Sequence, residues 1–267
     1  MKQLTITGLI ITMMVMNVSA QKLPESLNKN VVIAHRGAWK KNNLPENSIA
    51  ALKQAIKLKC HGSEFDVHLT KDSVMVVNHD PTFLGLTIAT STYKELLAKK
   101  LSNGESIPTV ENYLKTGLKQ MGTKLILELK PQNLGLERDL LLTEKALQLV
   151  RKLNAQDWVE YISFSYDICT YLIKNEANAK VAYLNGDVEP EKMKADGFTD
   201  VDYHFSVYQK NPTYIERFKK LGLNVNAWTA NTPEAINFLL ANKVDYITTN
   251  EPELVFDLVK QNTRSKK

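Results

Sequence analysis

From residue 31 onward, short runs of β-branched and aliphatic residues alternate with stretches whose apolar positions recur every three to four residues. The apolar runs predict strands over 31–34, 63–67, 124–129, 161–164, 180–184, 200–205, 224–227 and 246–248, with a short stray strand over 74–77. Several of these runs are apolar almost throughout, as expected of strands covered on both faces. Helix signals fall between them. Asn47 or Ser48 can cap a helix whose inner side is Ile49, Leu52, Ala55 and Ile56, and Thr232-Pro233-Glu234 sets a cap before a proline at the first helical position. Asn211-Pro212 opens another helix with Gly222 at its C-terminal end, and 136–153 reads as a long amphipathic helix. Eight such alternations predict an α/β fold, a single (β/α)8 TIM barrel, with a doubly wound open sheet as the competing arrangement. No glycine-rich dinucleotide fingerprint follows the first strand, which counts against the open sheet.

Composition narrows the class. The chain has 267 residues, 43% hydrophobic and 24% charged, which is globular and long enough to bury a core without disulfides or a structural metal. The net charge of +5 is dispersed, and the one basic block, Arg264-Ser265-Lys266-Lys267, reads as a solvated end; no nucleic-acid partner is expected. At the other end, Lys2 precedes an uncharged, mostly apolar run over 4–18, and Val18-Ser19-Ala20 supplies the small residues a signal peptidase reads. Residues 1–20 are therefore expected to be a cleaved secretory signal peptide, its apolar run shorter than the ~20 residues of a membrane span, with an uncleaved N-terminal anchor as the alternative. The mature domain is then 21–267, with its core at about 31–260, exported to the periplasm or secreted. Cys60 and Cys169 each lie in an apolar stretch read as helical, and are expected to be separate buried thiols.

Polar residues gather where the strands end, which in a (β/α)8 barrel is where chemistry sits. The first strand runs into His35-Arg36-Gly37, the second carries Glu64-Phe65-Asp66, the stray strand ends in His79-Asp80, and the third contains Glu128-Leu129-Lys130. Trp228 stands near the end of the seventh. Side chains two apart on a strand share a face, so Glu64 with Asp66, and Glu128 with Lys130, point the same way. Three carboxylates at close range repel unless something positive neutralises them, and a hard divalent cation, Mg²⁺ or Ca²⁺, prefers such oxygen ligands. Taken singly, each fragment reads as an ordinary strand-end residue or a solvated pair; together they converge on one barrel mouth.

These runs resemble the glycerophosphodiester phosphodiesterase family. Ala34-His35-Arg36-Gly37 and Leu44-Pro45-Glu46-Asn47-Ser48 are similar to its opening, and Glu64-Phe65-Asp66-Val67 through His79-Asp80-Pro81-Thr82 to its second block. Leu127-Glu128-Leu129-Lys130, Trp228-Thr229 and Ile247-Thr248-Thr249-Asn250-Glu251-Pro252 follow in order. The resemblance implies one divalent cation on Glu64, Asp66 and Glu128, with His35 and His79 as general acid and base. It further implies that Arg36 and Lys130 hold the phosphate oxygens of a small glycerophosphodiester, and that the products are glycerol 3-phosphate and an alcohol. The first nucleophile is either water or the substrate's own hydroxyl through a cyclic phosphate. Glu46 would support Arg36 or His35, and Trp228 and Trp39 could pack on the glycerol or head group. His68 falls beyond the expected strand end; His204, His61, Tyr203 and Tyr246 read as packing residues. The chain departs from the family pattern at Lys59-Cys60-His61-Gly62-Ser63 and at Phe83-Leu84-Gly85-Leu86-Thr87, the second of which bears on head-group preference. An apolar patch at Phe83, Leu84 and Leu86 would favour a lysophospholipid substrate and a lysophospholipase D-like reaction. A catalytically silent phosphoester-binding barrel would instead have lost a ligand or a histidine.

Overall fold

All eight expected strands form and close into a barrel. The computed structural model describes residues 27–264, so the signal-peptide reading and the last three residues of the basic end lie outside the described residues. The barrel strands are β1 (Val32–Ala34), β2 (Gly62–Leu69), β3 (Lys124–Leu129), β4 (Val159–Ser163), β5 (Val181–Tyr183), β6 (Asp200–His204), β7 (Asn224–Trp228) and β8 (Tyr246–Thr249). Neighbours pair in parallel in chain order, and β1 closes the ring by pairing with both β8 and β2. Helices follow the strands and cover the outside, as parallel strands require. No helix among the described residues is long and apolar enough to cross a membrane.

Local chemistry explains the helix starts. Ser48, not Asn47, is the cap of the helix Ile49–Lys57, its side chain accepting from the Ala51 N–H. Thr232 caps the helix Pro233–Ala241 through the Ala235 N–H. Gly222 follows the helix Tyr214–Lys220 at φ +76°, as expected of a helix-ending glycine. Asn211-Pro212 does not open that helix: Asn211 ends a short one, Phe205–Lys210, and Thr213 precedes the next.

Three other boundaries differ. β2 runs to Leu69 because its far end is extended by antiparallel pairing with Met75–Val77, which places His68 inside the strand opposite Val76. Phe164 and Phe205 lie outside β4 and β6, the latter starting a helix. Cys60 sits between the helix Ile49–Lys57 and β2 rather than in a helix, whereas Cys169 is helical; both thiols are buried and free.

The main apolar core lies between the strands and their helices, where Phe65 stacks on Tyr113 with ring centroids 4.4 Å apart. Each fully buried large side chain there contributes roughly 1.5–3 kcal/mol. The barrel lumen holds only a small cluster, Ile33, Ile126, Ile162, Ala182 and Leu184. A third cluster, Val76, Phe83, Ile88, Leu96 and Ile107, belongs to the long segment between β2 and its helix, Val110–Gly117. With so few apolar side chains, the lumen is left to polar ones.

Candidate active site

The register of two adjacent strands builds the centre of the mouth. Asp66 on β2 lies opposite Glu128 on β3, and Glu64 faces the same way as Asp66. One oxygen from each of Glu64, Asp66 and Glu128 lies within 4.8 Å of the others, and all three residues are at most 5% exposed. Glu64 Oε2 accepts from the Arg36 backbone N–H at 2.7 Å. Asp66 is held from both sides by Asn47, whose Nδ2 donates to Asp66 Oδ2 at 2.8 Å while its Oδ1 accepts the Asp66 N–H at 3.1 Å. The Lys130 ammonium sits 2.8 Å from Asp66 Oδ1 and 2.6 Å from Glu128 Oε1.

That leaves the trio under-neutralised. Glu64 Oε1 is buried with no partner among the described residues, and Asp66 Oδ1 and Glu128 Oε1 share the single Lys130 ammonium. Burial, then the charges of Asp66 and Glu128, push the Glu64 carboxyl well above the usual range. Burial and Asp66 likewise push Glu128 up to about 7. At Asp66 the burial penalty is outweighed by Lys130 and the two histidines, and its carboxyl is lowered. Burial alone would lower Lys130, but Asp66 and Glu128 outweigh it and hold the ammonium charged. Convergent, buried oxygens short of positive partners fit a hard divalent cation.

Two histidines and an arginine flank the trio. His35 directly follows β1; its Nδ1 is 2.7 Å from Asn250 Oδ1 and its Nε2 is 3.9 Å from Glu64 Oε2. With that oxygen accepting from Nδ1–H, Nε2 carries the lone pair. Burial, then the Arg36 charge, lowers His35 to about 4, so it stands neutral. His79 Nδ1 pairs with Asp80 Oδ1 at 2.7 Å, which leaves its Nε2 free. Arg36 has left-handed backbone, φ +57°, and the Glu46 carboxylate grips its Nη1 with both oxygens at 3.0 Å. Gly37 permits this turn: at φ +79° its backbone passes so close to Ala51 that a Cβ would come within 2.7 Å.

These groups open onto a cavity of about 120 Å³ lined by His35, Arg36, Glu64, His79, Glu128 and Lys130 on one side. Phe164, Asp202, Trp228, Thr229 and Thr248 line the other. Trp228 Nε1 donates to the Asp202 carbonyl at 3.0 Å, and its ring stands edge-on to Phe164 at 5.4 Å. Glu46 supports the site through Arg36 without lining the cavity. Trp39 is half-buried and does not line it either. His68 Nε2 contacts the His79 carbonyl oxygen at 2.9 Å, so it braces the loop bearing His79. His204 accepts from the Ser206 N–H and packs against Trp228, Tyr203 is wholly buried, and His61 stacks on Tyr246.

Four residues come to light only in three dimensions. Asn47, read as a helix cap, stands at φ +59° and orients Asp66. Asn250 holds His35, and Asp202 lines the cavity from the middle of β6. Glu105, in the long segment after β2, accepts from the Ile49 and Ala50 N–H groups at 3.0 and 3.2 Å and completes the first turn of the helix that follows Asn47. The apolar patch that would favour a lipid substrate is not formed: Phe83 is 2% exposed, Leu86 packs against the third cluster, and of the three Leu84 alone protrudes, at 53% exposure.

Residues 35–254 match the Glycerophosphoryl diester phosphodiesterase family. A glycerophosphodiester phosphodiesterase of Caldanaerobacter subterraneus subsp. tengcongensis is 30% identical over 254 residues, covering 87% of this chain and 99% of that one. The crystal structure of a glycerophosphodiester phosphodiesterase from Parabacteroides distasonis superposes with a TM-score of 0.85 at 39% identity, covering 89% of this chain and 99% of that one. A phosphodiesterase of Oleispira antarctica, solved with its product sn-glycerol-3-phosphate, shares the fold at 22% identity and a TM-score of 0.74, covering 86% and 97% of the two chains.

Proposed function

The chain belongs to the glycerophosphoryl diester phosphodiesterase family, and we propose that it hydrolyses small glycerophosphodiesters to glycerol 3-phosphate and an alcohol. The observation that carries this reading is the convergence of Glu64, Asp66 and Glu128 within 4.8 Å, at a cavity that also presents both histidines and Arg36. A divalent cation, Mg²⁺ or Ca²⁺, held by those three carboxylates would polarise the phosphoryl group and favour the attacking oxygen.

The protein's own groups do the rest. Arg36 and Lys130 draw the phosphate oxygens into the cavity, and the guanidinium is preorganised for this by the Glu46 carboxylate behind it. His35, neutral and with its Nε2 lone pair toward the trio, takes the proton of the attacking hydroxyl or water. His79, its Nδ1–H given to the Asp80 carboxylate, acts as the acid when its Nε2 also carries a proton, which it delivers at the cavity to the departing alkoxide. Asn250 thus selects the tautomer that His35 needs as base, and Asp80 orients the ring of His79.

Deacylated substrates are favoured over lysophospholipids because Phe83 and Leu86 turn inward and leave only Leu84 exposed. A silent barrel has no support, since all three carboxylates and both histidines are in place. The test is release of glycerol 3-phosphate from glycerophosphocholine with Mg²⁺ or Ca²⁺, repeated with chelator and with Glu64→Gln. Release that needs metal and is lost in the variant supports the reading; metal-independent release, or none from any glycerophosphodiester, rejects it. We also propose that residues 1–20 direct export, which N-terminal sequencing of the recovered protein tests; a cytosolic protein that retains them would refute it.

A further inference from the structure

We propose that Asp202 is the specificity-determining residue for the glycerol moiety, accepting a hydrogen bond from one of its hydroxyls; this assignment rests on the hydrolase reading above. Asp202 lies in the middle of β6, 1% exposed, where it lines the cavity and also borders the space of about 20 Å³ deeper in the lumen. Its Oδ1 has no hydrogen-bond partner among the described residues. A buried carboxyl oxygen without a partner is costly, and its presence in a substrate cavity points to a partner that arrives with the ligand.

The surroundings hold this side chain in place. Asn226 on β7 hydrogen-bonds the Asp202 carboxyl and donates through Nδ2 to Thr248 Oγ1 on β8 at 2.9 Å. The Asp202 carbonyl holds the Trp228 indole at 3.0 Å. A polar chain across β6, β7 and β8 therefore fixes one wall of the cavity, while β2 and β3 supply the other.

The donors and acceptors of the cavity then divide between the parts of the substrate. Arg36 and Lys130 are donors that suit the phosphate, and the histidines are committed to proton transfer. Glu64 and Glu128 turn toward the shared cation position with Asp66, a convergence that does not include Asp202. A glycerol moiety brings hydroxyl donors, and Asp202 is the carboxyl group lining the cavity outside the trio. Burial, then the nearby Glu128 charge, pushes the Asp202 carboxyl well above the usual range. A carboxyl group accepts from a hydroxyl in either protonation state, so hydroxyl recognition does not require a further negative charge beside Glu128.

The test compares metal-loaded wild type, Asp202→Ala and Asp202→Asn for binding of glycerol 3-phosphate and of ethyl phosphate, which has no hydroxyls. The expected result is a roughly ten- to hundredfold weaker Kd for glycerol 3-phosphate in Asp202→Ala, ethyl phosphate unchanged within about twofold, and recovery of most of the loss in Asp202→Asn. If the alanine variant does not fold, Asp202→Ser, which is too short to reach the same position, takes its place. Equal weakening of both ligands, or of neither, overturns the assignment. Glycerophosphocholine hydrolysis by the same wild-type preparation separates the two claims. Hydrolysis without discrimination at Asp202 rejects this inference alone, and its absence rejects the hydrolase reading beneath it.

Discussion

The two ends of this barrel both carry carboxylates and lysines, the carboxylates buried at the mouth and half-buried at the floor, yet only one is built like a reaction site. At the mouth, Glu64, Asp66 and Glu128 come from adjacent strands, and one oxygen of each falls within 4.8 Å of the others. At the floor, Glu160 on β4 and Asp200 on β6 are separated by β5, and no cluster of that kind forms there among the described residues. The Asp200 and Glu160 oxygens are answered by the protein: Asn224 Nδ2 donates to Asp200 Oδ1 at 2.7 Å, the Thr199 hydroxyl donates to Oδ2 at 2.5 Å, and Lys124 lies 3.7 Å from Glu160. Mouth oxygens are not, since Glu64 Oε1 has no partner. The floor encloses about 20 Å³, room for little more than a water, against about 120 Å³ at the mouth. Both ends shift carboxyl groups upward, with Asp200 pushed to about 6 by burial and Glu160. Acidity and raised carboxyl groups therefore do not mark the site; convergence, full burial, unanswered oxygens and an opening do.

The comparison is broken most severely through the histidines. His35→Ala or His79→Ala should lower kcat by roughly 10²- to 10⁴-fold with a much smaller change in substrate binding. A His79→Ala enzyme with near-normal turnover would remove that residue from the mechanism. Next in size is Asn47→Ala, which removes both hydrogen bonds between Asn47 and Asp66 and leaves Asp66 its contact with Lys130. It should weaken metal binding by roughly ten- to hundredfold, as loss of a residue orienting a ligand does, measurable by titration calorimetry without reference to turnover.

Protons and metal compete at the mouth, which sharpens the contrast further. Glu128 is raised to about 7 in the folded protein, so the folded state keeps a proton that the unfolded chain releases near pH 4.5. That contribution to stability is present at low pH and lost as pH rises from about 4.5 through 7. Metal binding needs the deprotonated form, so the rise in Tm on adding Mg²⁺ or Ca²⁺ should be larger at pH 8 than at pH 5. At a metal concentration about a hundredfold above Kd it should approach the equivalent of ~2.7 kcal/mol. At the floor Asp200, raised to about 6, slopes as Glu128 does, and His61 slopes the other way. Burial lowers His61 to about 4, so its contribution is full above the unfolded value of about 6.5 and is lost as pH falls toward 4. A His61→Gln protein should show a shallower acid limb of Tm between those values; an unchanged limb would contradict that role.

The smallest effects belong to parts that touch neither end directly. Glu105→Ala removes two hydrogen bonds from the start of the helix Ile49–Lys57 and should cost about 1 kcal/mol by denaturant unfolding, as loss of a helix cap does.

Much of this was legible in the chain. Near-continuous apolar runs marked the strands, and the two-residue spacing of Glu64 and Asp66 placed both on one face. What escaped depended on partners far away in sequence. β2 was read short because its last residues pair with Met75–Val77, so His68 was set beyond the strand instead of within it. Asn47 looks like any helix-start asparagine until its contact with Asp66, nineteen residues on, is known. Glu105 reaches back over 56 residues to Ile49. Asp202, between Val201 and Tyr203, could equally have faced a helix; that it faces the lumen becomes plain once the barrel closes.

The most direct test of the contrast between the two ends is calorimetric titration of Mg²⁺ or Ca²⁺ into wild type, Glu64→Gln and Glu160→Gln. One cation per chain, lost in Glu64→Gln and unchanged in Glu160→Gln, is the expected result. Binding that survives Glu64→Gln, or that disappears in Glu160→Gln with the fold intact, would contradict the assignment of the mouth carboxylates as the metal site.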